Sequence, residues 1–287
     1  MKLSTLFEQD RPTLSFEVFP PKQTTSFDNV RRATEEIAAL CPDFMSVTYG
    51  HGSAEFSLPI AENVLRVGKV TPLAHLTCVG LDAAALDKHL QAFSAAGIDN
   101  ILALRGDIPE YAPKQQTWAF PHASDLIAYI KSHGDFCVGA ACYPEGHPES
   151  ATQVADIASL KCKADAGCDF LTTQMFFDNN ILYNFLYKTE KAGIHLPVVA
   201  GIMPVTNGKQ VARTCQLSGQ MLPPRFRQII DRFSSNPAAM KQAGIAYATE
   251  QIVDLLANGV QYIHVYSMNK PDVARQIQAN LSEILGV

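Results

Sequence analysis

The chain has 287 residues, of which 47% are hydrophobic and 18% charged, and this composition excludes a disordered chain. Its formal net charge of −5, without any long run of Lys or Arg, argues against a nucleic-acid-binding surface. No stretch of 18 apolar residues occurs, so the sequence predicts no membrane-spanning helix.

Eight segments rich in Val, Ile, Phe, Tyr and Thr predict β-strands along the chain. Most of them are apolar without alternation, as expected of parallel strands that are covered on both faces. They span residues 14–21, 44–50, 72–80, 101–107, 137–146, 170–178, 197–205 and 262–269.

Segments with helical periodicity separate the predicted strands. Two of them carry an apolar stripe, formed by Ala83, Leu86, Leu90 and Phe93 in one and by Val273, Ile277, Leu281 and Ile284 in the other. Several helices stop at a glycine just before the next strand, as at Gly97 and Gly259, because glycine readily adopts the left-handed conformation that ends a helix.

The alternation of strand and helix is repeated eight times without a linker between the units. It predicts an α/β protein with a single (β/α)₈ TIM barrel, a catalytic domain over residues 1–287, with extra helices in 209–259 before the last strand. A doubly wound open sheet is the structural alternative. It is weakened because no GxGxxG follows the first strand, and the GHG at 50–52 is too short to count.

Polar side chains stand at or just beyond the ends of all eight predicted strands. They are Glu17, Thr48, Tyr49, His75, Arg105, Asp107, Tyr143, Glu145, His147, Gln174, Thr206, Asn207, Tyr266 and Asn269. Sites on barrels of this kind lie at the C-terminal ends of the strands, so a ring of polar groups at one rim indicates a functional site. Glu17 lies between Phe16 and Val18, where an acid is either paired with a cation or held protonated as a proton donor.

Each of these residues also has a simpler structural interpretation. Arg105 and Asp107 can form an ion pair, His75 can be a satisfied core histidine, and His147 lies in a Pro/Gly-rich loop typical of the surface. The amide of Gln174 suits a planar heterocycle, with one donor and one acceptor edge, but can equally bond to a neighbouring side chain.

Seven cysteines occur without a CxxC pair, which argues against a disulfide framework and against a zinc site. Cys78, Cys137 and Cys142 lie in apolar strand-like runs and are predicted to be buried thiols. This usage fits a reducing, cytoplasmic compartment. The first thirteen residues contain no uninterrupted apolar stretch, so no signal peptide is predicted.

The segments SFEVFPPK, VTYG, HLTC, ALRGD, YPEGHPE and TQMFFD, followed by HVYSMNK, resemble the methylenetetrahydrofolate reductase family in order and spacing, from about residue 14 to the end of the chain. The resemblance is to its short bacterial form, which has the catalytic barrel only. It implies a flavoprotein that binds FAD at the barrel rim and is reduced by NADH or NADPH. The flavin then reduces methylenetetrahydrofolate to 5-methyltetrahydrofolate, a ping-pong reaction that feeds methionine synthesis. It also implies a homo-oligomer without a metal.

Residue roles follow from the same resemblance. Glu17 matches a general acid that helps open the bridging methylene of the folate, and Asp107 matches a carboxylate near the flavin and the pterin. Gln174 matches a folate and nicotinamide contact, Thr48 a nicotinamide contact, and Lys270 a contact to the glutamate tail of folate. The FAD-contact positions are Tyr49, His75, Arg105, Gly106, Asp107, Ala123, Tyr143, His147, Asp156 and Lys163.

The chain departs from the family pattern at four positions. Gly208 stands where relatives usually have an aromatic residue that packs on folate or nicotinamide, and Lys270 replaces an arginine, losing a bidentate contact. Ser159 and Cys162 replace polar and basic residues that contact FAD. These changes affect the expected affinities and the choice of reductant more than the expected reaction.

Two other functions fit the same residues. A metal-dependent aldolase or epimerase would use Glu17, His75, Asp107, Glu145 and His147 as ligands, although no HxH or HxxxH pair occurs. A barrel that binds flavin or folate without turnover is the second alternative, and Gly208 and Lys270 are the features that favour it.

Overall fold

The computed structural model describes residues 1–21, 27–49, 54–108, 118–208, 211, 215 and 219–286. Its strands are β1 (Thr13–Val18), β2 (Phe44–Val47), β3 (Thr71–Thr77), β4 (Asn100–Leu104), β5 (Cys137–Cys142), β6 (Phe170–Thr173), β7 (Val198–Ile202) and β8 (Tyr262–Tyr266). They pair in chain order, all in parallel, and β8 pairs with β1 to close the barrel. The predicted (β/α)₈ barrel is therefore confirmed, and the open sheet is wrong.

Helices alternate with these strands. They are α1 (Leu3–Phe7), α2 (Phe27–Ala38), α3 (Ala54–Arg66), α4 (Ala83–Ala96), α5 (Ala123–His133), α6 (Gln153–Asp165), α7 (Asn179–Lys191), α8 (Pro224–Phe233), α9 (Pro237–Ala257) and α10 (Pro271–Leu285). Both α8 and α9 lie between β7 and β8, which confirms the extra helices predicted there. Within the part of the chain that is described, no helix is both long and apolar enough to span a membrane.

The apolar stripes of the helices pack on the outer face of the barrel. Leu86, Leu90 and Phe93 of α4 are at most 4% exposed and join the main core. Ala83 and Ile284 are exposed, which contradicts their predicted place in the stripes. Each lies within two residues of a helix end, beyond the surface that the barrel wall covers.

Local signals set where α4 begins and ends. The side chain of Asp82 accepts a hydrogen bond from the backbone N–H of Ala85, which satisfies one free donor of the first turn. Gly97 follows the helix with φ 78°, and its N–H bonds to the carbonyls of Phe93 and Ser94. The chain can therefore turn directly into β4, as the glycine predicted.

The interior of the barrel changes from apolar to polar along the strand direction. At the N-terminal end, Leu3, Leu6 and Phe7 of α1 pack with Phe44, Leu73, Leu102, Cys137, Phe170 and Val199 from the strands. Each large side chain buried there contributes about 2 kcal/mol relative to exposure. His264 lies over this cluster, its ring stacked on Phe44 at a centroid distance of 5.5 Å. Polar side chains lie further along the strands, so the C-terminal rim of the barrel is polar.

Candidate active site

Glu17 lies near the C-terminal end of β1, in register with Ser46 of β2 and Tyr266 of β8. Its side chain is 20% exposed. Burial raises the pKa of Glu17 from 4.5 to about 8, and a hydrogen bond with Ser46 opposes this shift only in part. At neutral pH the carboxyl group is therefore mostly protonated.

His75 of β3 is an ionisable neighbour of Glu17, with 3.8 Å between its Nε2 and the Glu17 Oε2. Burial lowers the pKa of His75 to about 3, so the ring is neutral at pH 7 and the pair is not an ion pair. Of the two interpretations of Glu17, pairing with a cation or retention of a proton, the structure favours the second.

The Nε2 atom of His75 is buried and has no hydrogen-bond partner among the residues that the structure describes. Leaving such an atom unpaired costs about 1–3 kcal/mol, so an orphaned ring nitrogen at a barrel mouth points to a ligand that completes it. His75 is therefore not the satisfied core histidine of the simpler interpretation.

A cavity of about 520 Å³ opens at the C-terminal ends of β4 and β5 and along α5 and α6. This volume lies in the range of small-molecule sites. Eight of the residues matched to FAD contacts line it: Arg105, Gly106, Asp107, Ala123, Tyr143, His147, Asp156 and Lys163. The fold thus brings together residues that are up to 58 positions apart in the chain.

Two tyrosines connect the cavity to Glu17. The pKa of Tyr266 is raised well above its usual value by burial and then by the nearby Glu17, Cys142 and Tyr143. The pKa of Tyr143 is raised by burial and by the charge of Asp107. Glu17 and the cavity-lining Tyr143 thus both lie within electrostatic range of Tyr266.

Arg105 pairs with a residue that the sequence analysis did not select. Its guanidinium donates to both carboxylate oxygens of Glu149, at 2.6 and 2.8 Å, and this hydrogen bonding raises the pKa of Arg105. The ion pair proposed for Arg105 and Asp107 is therefore made with Glu149 instead. Glu149 follows β5 by seven residues in a loop, and no local pattern marks it as the partner of a residue 44 positions earlier.

The cavity is not strongly basic. Its lining contains the cations Arg105 and Lys163 but also the carboxylates of Asp107, Glu149 and Asp156. Lys163 donates to the carbonyl of Ala141 at 2.8 Å, and burial lowers the pKa of its ammonium group.

Ser159 and Cys162, two of the departures from the family pattern, also line this cavity. The Ser159 hydroxyl donates to the carbonyl of Ala155 within α6, at 3.0 Å. Neither residue adds a positive charge to the cavity wall, where Arg105 and Lys163 are the basic side chains with a permanent charge.

Four other predicted site residues lie outside the cavity lining. The hydroxyl of Tyr49 lies 3.3 Å from Nε2 of His89 on α4. Oε1 of Gln174 accepts a hydrogen bond from the backbone N–H of the next residue at 2.9 Å, and Lys270 donates to the hydroxyl of Thr206 at 2.6 Å. The backbone carbonyl of Thr48 accepts from the hydroxyl of a serine of α3 at 2.9 Å. These residues remain predictions as ligand contacts.

Gly208 packs against α8. A Cβ atom added to Gly208 would lie 2.7 Å from Cβ of Ser234 and 3.1 Å from Cγ2 of Ile230. A side chain at this position would therefore enter the helix interface, which gives a physical reason for a glycine here.

The sequence analysis also missed three buried polar residues on the strands near Glu17. Ser15, Ser46 and His264 are each at most 1% exposed. The hydroxyl of Ser15 lies 2.7 Å from Nδ1 of His264, and the hydroxyl of Ser46 lies 2.9 Å from its Nε2. One sequence signal was available: Ser15 and Glu17, like His264 and Tyr266, are polar residues two positions apart on one face of an apolar strand.

The structure also bears on the metal-dependent alternative. Among the residues described, no three or more His, Cys, Asp or Glu side chains form a group that could hold a metal ion. Glu17, His75, Asp107, Glu145 and His147 therefore do not make up the ligand set that this alternative needs.

The fold and the site define a class: a (β/α)₈ barrel with a protonated acid and a ligand-sized cavity at the C-terminal rim. The family model described as methylenetetrahydrofolate reductase matches residues 2–282. The chain belongs to this family.

Named relatives agree with this assignment. The chain is 34% identical over 298 residues to methylenetetrahydrofolate reductase (NADH) 1 of Arabidopsis thaliana, covering 99% of this chain and 50% of the plant protein. It is 32% identical to the 5,10-methylenetetrahydrofolate reductase of Pectobacterium carotovorum and 31% identical to that of Escherichia coli, with 94% of this chain and 90% of each relative covered. The chain thus spans about half the length of the plant relatives.

Solved structures support the fold. A Clostridium thermocellum protein that binds two copies of 5-methyl-5,6,7,8-tetrahydrofolic acid superposes with a TM-score of 0.69 at 14% identity, over 99% of this chain and 98% of that chain. A dihydropteroate synthase of Xanthomonas albilineans gives a TM-score of 0.52 at 17% identity, over 96% and 93%. At these identities the likeness concerns the barrel architecture.

Proposed function

We propose that the chain catalyses the reduction of 5,10-methylenetetrahydrofolate to 5-methyltetrahydrofolate, with FAD as the bound cofactor and NADH or NADPH as the reductant in a ping-pong sequence. The observation that carries the proposal is the protonated Glu17 at the same barrel rim as a cavity that gathers eight residues matched to FAD contacts, in a chain of this family. The names of the plant and bacterial relatives supply the substrate.

The residues present fit a flavin. The orphaned Nε2 of His75 and the polar wall of the cavity offer hydrogen bonds to a planar heterocycle with a polar tail. Arg105, Gly106, Tyr143, His147 and Lys163 would hold it. FAD, when bound, supplies the hydride chemistry, which no amino-acid side chain provides.

Glu17 supplies the proton that the folate reaction needs. With a pKa of about 8, its carboxyl group carries a proton at pH 7 and can transfer it to a nitrogen of the bridging methylene group. Protonation of that nitrogen favours opening of the bridge to an electrophilic iminium on the substrate. The neutral His75 ring next to Glu17 does not compete for the proton, because the pKa of His75 is lowered to about 3.

The first test is the absorbance of the purified protein, followed by anaerobic reduction with NADH and NADPH in turn. We expect a yellow protein that bleaches with at least one of the two reductants. A colourless protein that takes up no added FAD would contradict the proposal. Binding of FAD without bleaching by either reductant would favour the non-catalytic alternative.

The second test separates the two half-reactions in Glu17→Gln. Reduction of the enzyme by the nicotinamide reductant requires no acid from Glu17 and should stay within about threefold of the parent, whereas folate reduction should fall by about 10²-fold or more. An equal loss in both half-reactions would make Glu17 a structural residue instead of the general acid.

A further inference from the structure

The end of strand β1, which carries Glu17, is followed by residues that cannot extend the sheet. Pro20 and Pro21 have no backbone N–H, so Phe19 holds the last amide hydrogen of this segment. The pairing of β1 with β8 ends where Glu17 lies in register with Tyr266. On the β8 side, other contacts must therefore hold the chain beyond Glu17.

The loop between β8 and α10, residues 267–270, makes these contacts through its side chains. The hydroxyl of Ser267 donates a hydrogen bond to the backbone carbonyl of Glu17 at 2.6 Å. The side-chain amide of Asn269 accepts from the N–H of Phe19 at 3.0 Å and donates to the carbonyl of Phe19 at 2.8 Å. Asn269 thus satisfies both backbone groups of one residue, as a neighbouring strand would do in a sheet.

The 267–270 loop reaches β1 through an unusual backbone turn. Met268 and Asn269 are consecutive residues with φ of 53° and 52°, in the left-handed region that residues with a side chain disfavour. The N–H of Asn269 donates to the hydroxyl of Ser267 at 3.2 Å, and the N–H of Lys270 donates to the Ser267 carbonyl at 3.0 Å. Such a conformation persists where surrounding contacts determine it, and the bonds to β1 are contacts of this kind.

The same loop is also anchored on the side of β7. The ammonium group of Lys270 donates to the hydroxyl of Thr206, which follows β7, at 2.6 Å. Ser267 is 1% exposed, and its hydroxyl both donates to β1 and accepts from within the loop. The 267–270 loop therefore links the ends of β7 and β1 across the end of β8.

These contacts bear on where the carboxyl group of Glu17 lies. The direction of a side chain on a strand follows from the backbone of its residue, so fixing the backbone fixes the origin of the side chain. On the β2 side, the N–H of Thr48 donates to the carbonyl of Val18 at 3.1 Å. With Ser267 and Asn269 on the β8 side, residues 17–19 are held from both neighbouring strands.

We infer that Ser267 and Asn269 are positioning residues, which act through the backbone of residues 17–19 to hold the carboxyl group of Glu17 where it can protonate the substrate. The role of Glu17 as the acid rests on the proposed function. The hold of Asn269 on the backbone of Phe19 does not, and it can be measured in the ligand-free chain.

The first experiment measures hydrogen exchange of the Phe19 amide in the ligand-free chain by nuclear magnetic resonance. Asn269→Gly removes the side-chain amide and leaves a residue that readily adopts a positive φ. The N–H of Phe19 then loses its acceptor, so we expect its exchange to accelerate by about tenfold or more. Unchanged exchange would overturn the inference.

Met268→Gly is the matched control for this variant. It places a glycine at the neighbouring position, which has the same backbone conformation, and it leaves the amide of Asn269 on Phe19. We expect the exchange of Phe19 to stay within about threefold of the parent. An acceleration as large as in Asn269→Gly would show that glycine alone loosens the loop, and it would overturn the role of the Asn269 side chain.

The second experiment measures the two half-reactions of Asn269→Gly in single turnovers. A displacement of a reacting group by about 1 Å can cost about 10²-fold in rate, so we expect reduction of 5,10-methylenetetrahydrofolate to slow by about 10- to 100-fold. Reduction by the nicotinamide reductant needs no acid and should stay within about threefold of the parent. Equal losses in the two half-reactions would indicate a general structural role and overturn the inference.

Glu17→Gln provides the background that separates positioning from other effects of Asn269. If Asn269 acts through Glu17, adding Asn269→Gly to Glu17→Gln should slow folate reduction by less than about threefold further. A further loss as large as in the parent would overturn the inference.

Ser267→Ala keeps the test open if Asn269→Gly does not fold. It removes the bond to the Glu17 carbonyl without introducing a glycine, and we expect the same difference between the half-reactions and the same loss of effect in Glu17→Gln. A parent chain whose Phe19 amide is protected, and released in Asn269→Gly, but which reduces no folate would refute the proposed function. It would leave the hold of Asn269 on Phe19 standing.

Discussion

Replacing Glu17 by glutamine should make the stability of the protein less dependent on pH. The pKa of Glu17 is raised from 4.5 to about 8 in the folded chain, so the folded state holds a proton that the unfolded state releases. The stability of the parent is therefore greatest at low pH as far as this group is concerned, and it falls as the pH rises from 4.5 to 8. At about 1.4 kcal/mol per pH unit, the loss between pH 5 and pH 8 is about 3 kcal/mol.

The assay is urea unfolding of the parent and of Glu17→Gln at several pH values, at one protein concentration and without ligands. The free energy of unfolding of the variant minus that of the parent should rise by about 3 kcal/mol from pH 5 to pH 8. Glu283→Gln, at an exposed glutamate of α10, shows what the change from acid to amide does by itself. A difference that stays constant with pH, or that falls, would show that Glu17 is ionised in the folded protein.

Two further substitutions test other parts of the site. Gly208→Ala should lower the free energy of unfolding by about 1–3 kcal/mol, because its Cβ would lie 2.7 Å from Cβ of Ser234; an unchanged melting temperature would contradict this packing. Glu149→Gln should bind FAD several-fold more tightly at low salt, because it releases Arg105 from its carboxylate partner and removes a negative charge from the cavity. Calorimetric titration at two salt concentrations measures it, and weaker binding would show that Glu149 holds Arg105 in its productive position.

The barrel could be predicted from the sequence because each strand is an uninterrupted apolar run between helices with clear stops. The strand ends were less well defined. The run at 137–146 contains the shorter β5, Cys137–Cys142, and the run at 170–178 contains β6, Phe170–Thr173. Apolar side chains such as Phe176 and Phe177 continue beyond the strand because they are buried in the packing that covers the rim. The apolar residues after the strand therefore indicate burial, and they do not indicate that the strand continues.

The site could be predicted only in part, for a related reason. Glu17 stands out in the sequence because its neighbours along the chain are apolar, which is a local signal. Its register partners Ser46 and Tyr266 are 29 and 249 positions away and reach it only through the pairing of the strands. Arg105 likewise stands out, but its partner Glu149 does not. The apolar neighbours along the chain show that a polar residue stands at a position expected to be buried. Its hydrogen-bond partner, in contrast, depends on which strands and loops the closed barrel brings next to it.

The stability cost at Glu17 and its suitability as an acid have the same physical origin. A carboxyl group with a pKa of 4.5 is almost fully ionised at pH 7 and has no proton to give, whereas one with a pKa of about 8 is about nine-tenths protonated. The folded chain keeps that proton because Glu17 is buried next to a neutral His75, and the hydrogen bond with Ser46 opposes the rise in pKa only in part. The resulting cost of about 3 kcal/mol at pH 7 is comparable to the burial of one or two side chains such as Phe44 at the other end of the barrel. Apolar packing at the N-terminal end of the barrel can therefore offset the free-energy cost of keeping Glu17 protonated at the C-terminal rim.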